Sequence, residues 1–217
     1  MKWLLAAGVA GIFVLGALAA ALGIADRGDG DASDRPSAIG AQSAGAYRGS
    51  EPPARIELVD FALRDYSGDV IRSSRLRGKV VLLTFLDSQC TESCPIIASQ
   101  VGRAFELLSA AERRGIFAVA ISTDPKEDTA ASVRSFLRRN RALGTLHYVG
   151  GGEPESKLRR IWKRFQILSS LESGEDTLHS APVRIYDREG IWVSTLHAGA
   201  DLSTENLAHD VRVALGS

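Results

Sequence analysis

The run Val80-Val81-Leu82-Leu83-Thr84-Phe85-Leu86 is almost wholly apolar, and soon after its end the chain places Cys90, Cys94 and Pro95. A short run with so little polar alternation is a strand covered on both faces. A second such run follows at Ile116 to Ser122. Between them, Pro95 to about Arg114 has helical spacing, with Ile96, Ile97, Val101, Phe105, Leu107 and Leu108, and Gly115 ends it. Two buried strands joined by a helix call for parallel pairing, with helices on both sides of the sheet.

The remaining globular signals fit that frame. Ile56 to Leu63 is strand-like, and Tyr66-Ser67-Gly68-Asp69 is a turn before Val70-Ile71. Asp128 or Thr129 can cap a helix that runs through Arg139, with Val133, Phe136 and Leu137 inward. Leu146 to Val149 is short and extended, and Glu155 to Phe165 is an amphipathic helix. Val183 to Asp187, a turn at Arg188-Glu189-Gly190 and Ile191 to Val193 make a hairpin, before a last helix from about Ser203 to Leu215. Strand, helix, strand, helix, hairpin, helix is an α/β order of thioredoxin-like type.

The N-terminus has a different character. Leu4 to Ala25 is a run of 22 residues without a charge, long enough to cross a hydrocarbon core as a helix. Its length favours an uncleaved anchor over a signal peptide, although Ala17 to Ala21 offers small residues for cleavage. Lys2 precedes the run while Asp26 and further acids follow it, which places the short N-terminus in the cytoplasm and the remainder on the exported side of the cell membrane. Residues 26–54, rich in Asp, Gly, Ser, Ala and Arg, read as a flexible tether, and residues 55–217 as the folded domain.

Formal net charge is zero for the whole chain, so no basic surplus marks it as a nucleic-acid binder. An exported domain lives where disulfides persist. Its two cysteines permit one intramolecular disulfide, and that would close a loop too short to stabilise the fold much. The pair is better suited to chemistry. A helix beginning near Cys94 puts Pro95 in its first turn, where a missing N–H costs nothing, and sets the thiol against the positive end of the helix dipole. That position favours thiolate, which is both a nucleophile and a soft metal ligand. Asp124-Pro125 reads as a strand-end turn, and Arg138-Arg139-Asn140-Arg141 as a solvated helix end.

Leu82 to Phe85, Cys90-x-x-x-Cys94-Pro95, Ile121-Ser122-Thr123-Asp124-Pro125-Lys126-Glu127-Asp128-Thr129, and His179-Ser180 ahead of Gly190 together resemble the Sco/SenC family over roughly residues 55–215. These are membrane-anchored thioredoxin-fold proteins associated with copper delivery to cytochrome c oxidase. The resemblance implies a copper ion, as Cu(I) or Cu(II), held by Cys90, Cys94 and His179. It implies as partner an oxidase subunit that receives copper, or another copper carrier. Leu86-Asp87-Ser88 stands where the family has a Gly-Tyr-Thr-like stretch, and Thr91 and Leu178 stand where it often has Pro and Asp, so the surroundings of the site differ.

A thiol–disulfide oxidoreductase is the competing reading, with Cys90 and Cys94 as attacking and resolving thiols and no need of His179. A peroxiredoxin-type peroxidase fits less well, because Asp87 occupies the position of that family's proline. The copper-site reading makes the chain a carrier rather than an enzyme in the turnover sense.

Overall fold

The structure, a computed structural model, describes residues 45–167 and 182–216. His179 and the apolar run 4–25 lie outside the described residues. Among the described residues no helix is long and apolar enough to cross a membrane.

A five-stranded sheet forms the centre. Its strands are β3 (Val80–Leu86), β4 (Ile116–Ser122), β5 (Leu146–Val149), β6 (Pro182–Tyr186) and β7 (Trp192–His197), in the order β5-β4-β3-β6-β7. β3 pairs parallel with β4, and β4 with β5. β6 is antiparallel to β3, and β7 to β6. A separate antiparallel hairpin comprises β1 (Ala62–Arg64) and β2 (Val70–Arg72).

Every residue of β3 is buried, as its unbroken apolar run requires. Alternate side chains serve two cores. Val80, Leu82 and Leu86 join one cluster with Ile97 and Val101 of α1 (Ser93–Glu106), Phe136 of α3 (Ala130–Arg139) and Leu207 and Val211 of the final helix, α5 (Thr204–Gly216). Val81, Leu83 and Phe85 join the other, with Leu158 and Trp162 of α4 (Glu155–Arg164) and with Leu63 of β1. Phe85 and Phe165 meet edge-on, their ring centroids 5.3 Å apart, a favoured aromatic arrangement.

Several elements differ from the sequence reading. The helix expected over 95–114 is two helices, because α1 ends at Glu106 and Ser109 opens α2 (Ala110–Arg114). Ser109 and Glu112 form a capping box that satisfies donors on both sides, and the Ser-x-x-Glu spacing was its signal. The strand expected from Ile56 is regular only over Ala62–Arg64; residues 56–58 are tied instead to the β6–β7 turn by Leu58 N–H to Gly190 C=O and Trp192 N–H to Ile56 C=O. Thr129, not Asp128, caps α3, its hydroxyl accepting the Ser132 N–H.

Residues 48–50, assigned to the tether from composition, are held against the domain. Ser50 exchanges two backbone hydrogen bonds with Thr195 of β7. The buried carboxylate of Asp210 on α5 accepts the N–H groups of Arg48 and Gly49 and the Ser194 hydroxyl.

Candidate thiol site

The cysteines sit at the C-terminal edge of the parallel strands, on the loop from β3 to α1. That edge is where open α/β sheets place their ligands. The loop leaves β3 with the Leu86 carbonyl still paired to the Thr123 N–H, so its origin is fixed by the sheet. Asp87 then closes a tight turn: its carboxylate accepts the Gln89 N–H at 2.7 Å and its carbonyl accepts the Cys90 N–H at 3.3 Å. Ser93 opens α1, so Cys94 lies in the first helical turn and Pro95 follows it, as the sequence suggests.

The two thiols adjoin each other. Cys90 is half-buried, while Cys94 is buried against the α1 core. Neither is in a disulfide. The expected thiolate at Cys94 is not what the reduced protein holds. Burial pushes the Cys94 thiol up to about 12, with the neighbouring Cys90 thiol and the Asp87 charge adding to it. A hydrogen bond from the Asp87 backbone N–H opposes the rise and is outweighed. Burial therefore wins over the helix terminus, and Cys94 carries its proton at neutral pH.

Beneath the loop lies a carboxylate that sequence reasoning assigned to a helix cap. Asp128 is buried, and its Oδ1 accepts the Ser88 N–H at 2.8 Å. Its Oδ2 accepts the Ser122 hydroxyl at 2.6 Å and lies 2.7 Å from the Tyr148 hydroxyl, which also reaches the Leu86 carbonyl. Burial and the Asp128 charge hold the Tyr148 hydroxyl well above its ordinary pKa, so it stays a donor. Asp128 thus joins the ends of β3, β4 and β5 to the thiol loop. One sequence signal could have found it: Thr129 with Ser132 already completes the cap and leaves Asp128 unclaimed. Asp87, half-buried, has its carboxyl raised by burial and by the Asp128 and Asp124 charges.

Among the described residues no group of three or more His, Cys, Asp or Glu side chains is arranged as a complete metal site. The described part contributes two sulfurs, the soft donors that suit Cu(I). His147, which the sequence reading left without a role, is far from this chemistry in function. It stacks on Phe117, with centroids 4.3 Å apart, and its Nδ1 lies 3.0 Å from the buried Asp65 carboxylate.

A central sheet of this order, helices on both faces, and paired thiols at the start of the helix after its middle strand define a protein of thioredoxin-like fold. The SCO1/SenC family model matches residues 50–216, and the chain belongs to that family. A SCO2-like protein of Rickettsia prowazekii is 30% identical over 153 residues, covering 68% of this chain and 71% of its own. A SCO2-like protein of Rickettsia conorii is 25% identical over 117 residues, covering 54% of this chain and 55% of its own; the chain spans just over half the length of that relative. Of solved structures, apo Sco1 of Thermus thermophilus has a TM-score of 0.60 at 23% identity, covering 77% of this chain and 96% of its own. Copper-bound ScoI of Bradyrhizobium japonicum has a TM-score of 0.54 at 22% identity, covering 74% and 100%. The thioredoxin domain of a Bacteroides vulgatus thiol–disulfide oxidoreductase has a TM-score of 0.55 at 15% identity, covering 76% and 99%.

Proposed function

We propose that this chain is a membrane-anchored, exported copper carrier that supplies copper during assembly of cytochrome c oxidase, holding the ion through Cys90, Cys94 and His179. The observation that carries the reading is the contact between the Cys90 and Cys94 thiols on a loop pinned by Asp128, in a chain of the SCO1/SenC family. Two adjacent sulfurs form a soft donor pair for Cu(I).

The position of His179 in the sequence supports its role as third ligand. β6 begins at Pro182 and runs antiparallel to β3, so its first residue lies beside the C-terminal end of β3. His179 is three residues earlier in the chain, within a reach of about 10 Å. Copper is cargo here. Binding replaces the thiol protons of Cys90 and Cys94 and releases both to solvent, and an acceptor with a tighter donor set takes the ion onward. Residues 4–25 supply the anchor, and the domain works on the exported side of the cell membrane.

Adjacent thiols in a fold shared with a thiol–disulfide oxidoreductase also suit disulfide exchange. Loss of His179 separates the two readings. Copper is measured in the reduced full-length protein and in His179→Ala after desalting. About one copper per chain, weakened at least tenfold in the variant, supports the carrier. No retained copper in the intact protein, with ready exchange through Cys90 and Cys94, sinks it and leaves the oxidoreductase.

A further inference from the structure

The end of the domain opposite the thiols carries a different chemistry. In a parallel sheet the strands begin, and the helices end, on the same side. Arg103 lies in the last turn of α1, Arg113 and Arg114 in that of α2, and Arg138 and Arg139 in that of α3; Arg141 follows in the next loop. All six are exposed, and among the described residues none of them is paired with a carboxylate. Glu106 is the exposed acid in their midst, since Glu112 is engaged by Arg212.

Cations in last helical turns complement the helix dipoles, and that alone would explain five of these residues. It does not explain Arg141, or the leucines among them. Leu107 and Leu143 are two of only four large apolar side chains exposed among the described residues. The two segments adjoin. Gly102 on α1 approaches the Arg141 carbonyl so closely that no Cβ would fit, and Arg113 and Gly144 line one cleft with Phe105 and His147. The patch is therefore continuous, with leucines set among arginines.

We propose that this face docks on an anionic lipid surface, with Arg103, Arg138, Arg139 and Arg141 meeting headgroup phosphates and Leu107 and Leu143 entering the interface. Exposed leucines flanked by arginines are the composition of peripheral membrane contacts. The choice of a bilayer over an acidic protein rests on the anchor reading above: only nineteen residues, 26–44, stand in the sequence between the apolar run and the described domain, and a flexible tether of that length typically reaches about 25 Å. On that reading lipid is the surface within the domain's reach. β3 spans about 23 Å from this face to the thiol edge, so docking would turn Cys90 away from the bilayer, toward a partner projecting from it.

The test reconstitutes the full chain in nanodiscs of phosphatidylcholine alone and of phosphatidylcholine with one-quarter phosphatidylglycerol, and follows amide hydrogen exchange. Segments 103–107 and 138–145 should exchange about tenfold more slowly in the anionic discs. The protection should vanish in Arg138→Glu/Arg139→Glu/Arg141→Glu and in Leu143→Asp, and at about 0.5 M salt, while β3 and β4 stay protected in both variants. Equal exchange in the two lipids overturns the proposal. So does protection of these segments by soluble polyglutamate but not by anionic discs, which would make the partner an acidic protein. A chain that fails to enter neutral discs, yet shows the same protected segments when added to anionic ones, refutes the anchor and supports the docking face.

Discussion

Asp128 Oδ1 accepts the Ser88 backbone N–H at 2.8 Å, joining residues forty apart in the chain. The loop that carries the thiols is thereby fastened from below by a group outside it. Replacing Asp128 with Ala leaves the Ser88 N–H and the Ser122 hydroxyl short of an acceptor, while the Tyr148 hydroxyl keeps the Leu86 carbonyl. A loss of about 3 kcal/mol in urea unfolding is expected, with Asn less damaging because it keeps one acceptor oxygen. An unchanged urea midpoint in Asp128→Ala would refute the buttress.

Reactivity of the two thiols should be ordered. Cys90 is half-buried, whereas Cys94 is buried and its thiol is pushed up to about 12. With limiting iodoacetamide at pH 8, mass spectrometry should find the label on Cys90 first. Equal labelling, or Cys94 leading, would contradict the site described.

The raised Cys94 value also sets two pH dependences. The folded state holds the thiol proton more tightly than the unfolded chain, whose value is near 9.0. That contribution is complete below pH 9 and is lost as pH rises toward 12, so the reduced, copper-free protein should weaken over that alkaline window. Copper held by two thiolates must displace a proton from each thiol, that of Cys94 among them, so apparent Cu(I) affinity should rise about a hundredfold per pH unit between pH 6 and 8. A competition titration with a Cu(I) chelator of known pH behaviour checks this; a slope of only about tenfold in the intact protein would mean that just one thiol ligates, and a flat profile that neither does.

Gly102 packs α1 against the Arg141 carbonyl with no room for a Cβ. Gly102→Ala should cost about 1–3 kcal/mol by forcing helix and loop apart, despite the better helix propensity of Ala. Thermal unfolding gives the answer, and a stabilised variant would mean the contact yields without strain.

Asp210 holds residues 48–50 by accepting two backbone N–H groups. In Asp210→Ala that segment should detach, and trypsin should cut after Arg48 several times faster than in the parent. Equal cleavage rates would show that the pairing of Ser50 with Thr195 suffices.

The central elements were legible because their patterns are local. The unbroken runs at 80–86 and 116–122 announced buried strands, and the helical spacings of Val133, Phe136 and Leu137, and of Leu158, Ile161 and Trp162, announced inward faces. The break between α1 and α2 was also written locally, in Ser109 and Glu112, but apolar periodicity running on through Leu107 and Leu108 masked it. What could not be read was long-range. Asp128 serves Ser88, and Asp210 serves Arg48 and Gly49, across distances that no window spans. The protonation of Cys94 belongs to the same class, since the helix terminus is visible in the sequence while the burial that overrides it depends on packing.

Placing Cys94 in the first turn of α1 and Cys90 outside the helix gives the two sulfurs unequal mechanical freedom. Cys94 moves only with a helix wedged into the core, whereas Cys90 rides on the few residues between Ser88 and that helix. Any change of partner at this pair is therefore hinged: one sulfur is the fixed jaw, the other swings, and the span it can open is set by Gln89 to Glu92 rather than by the fold as a whole.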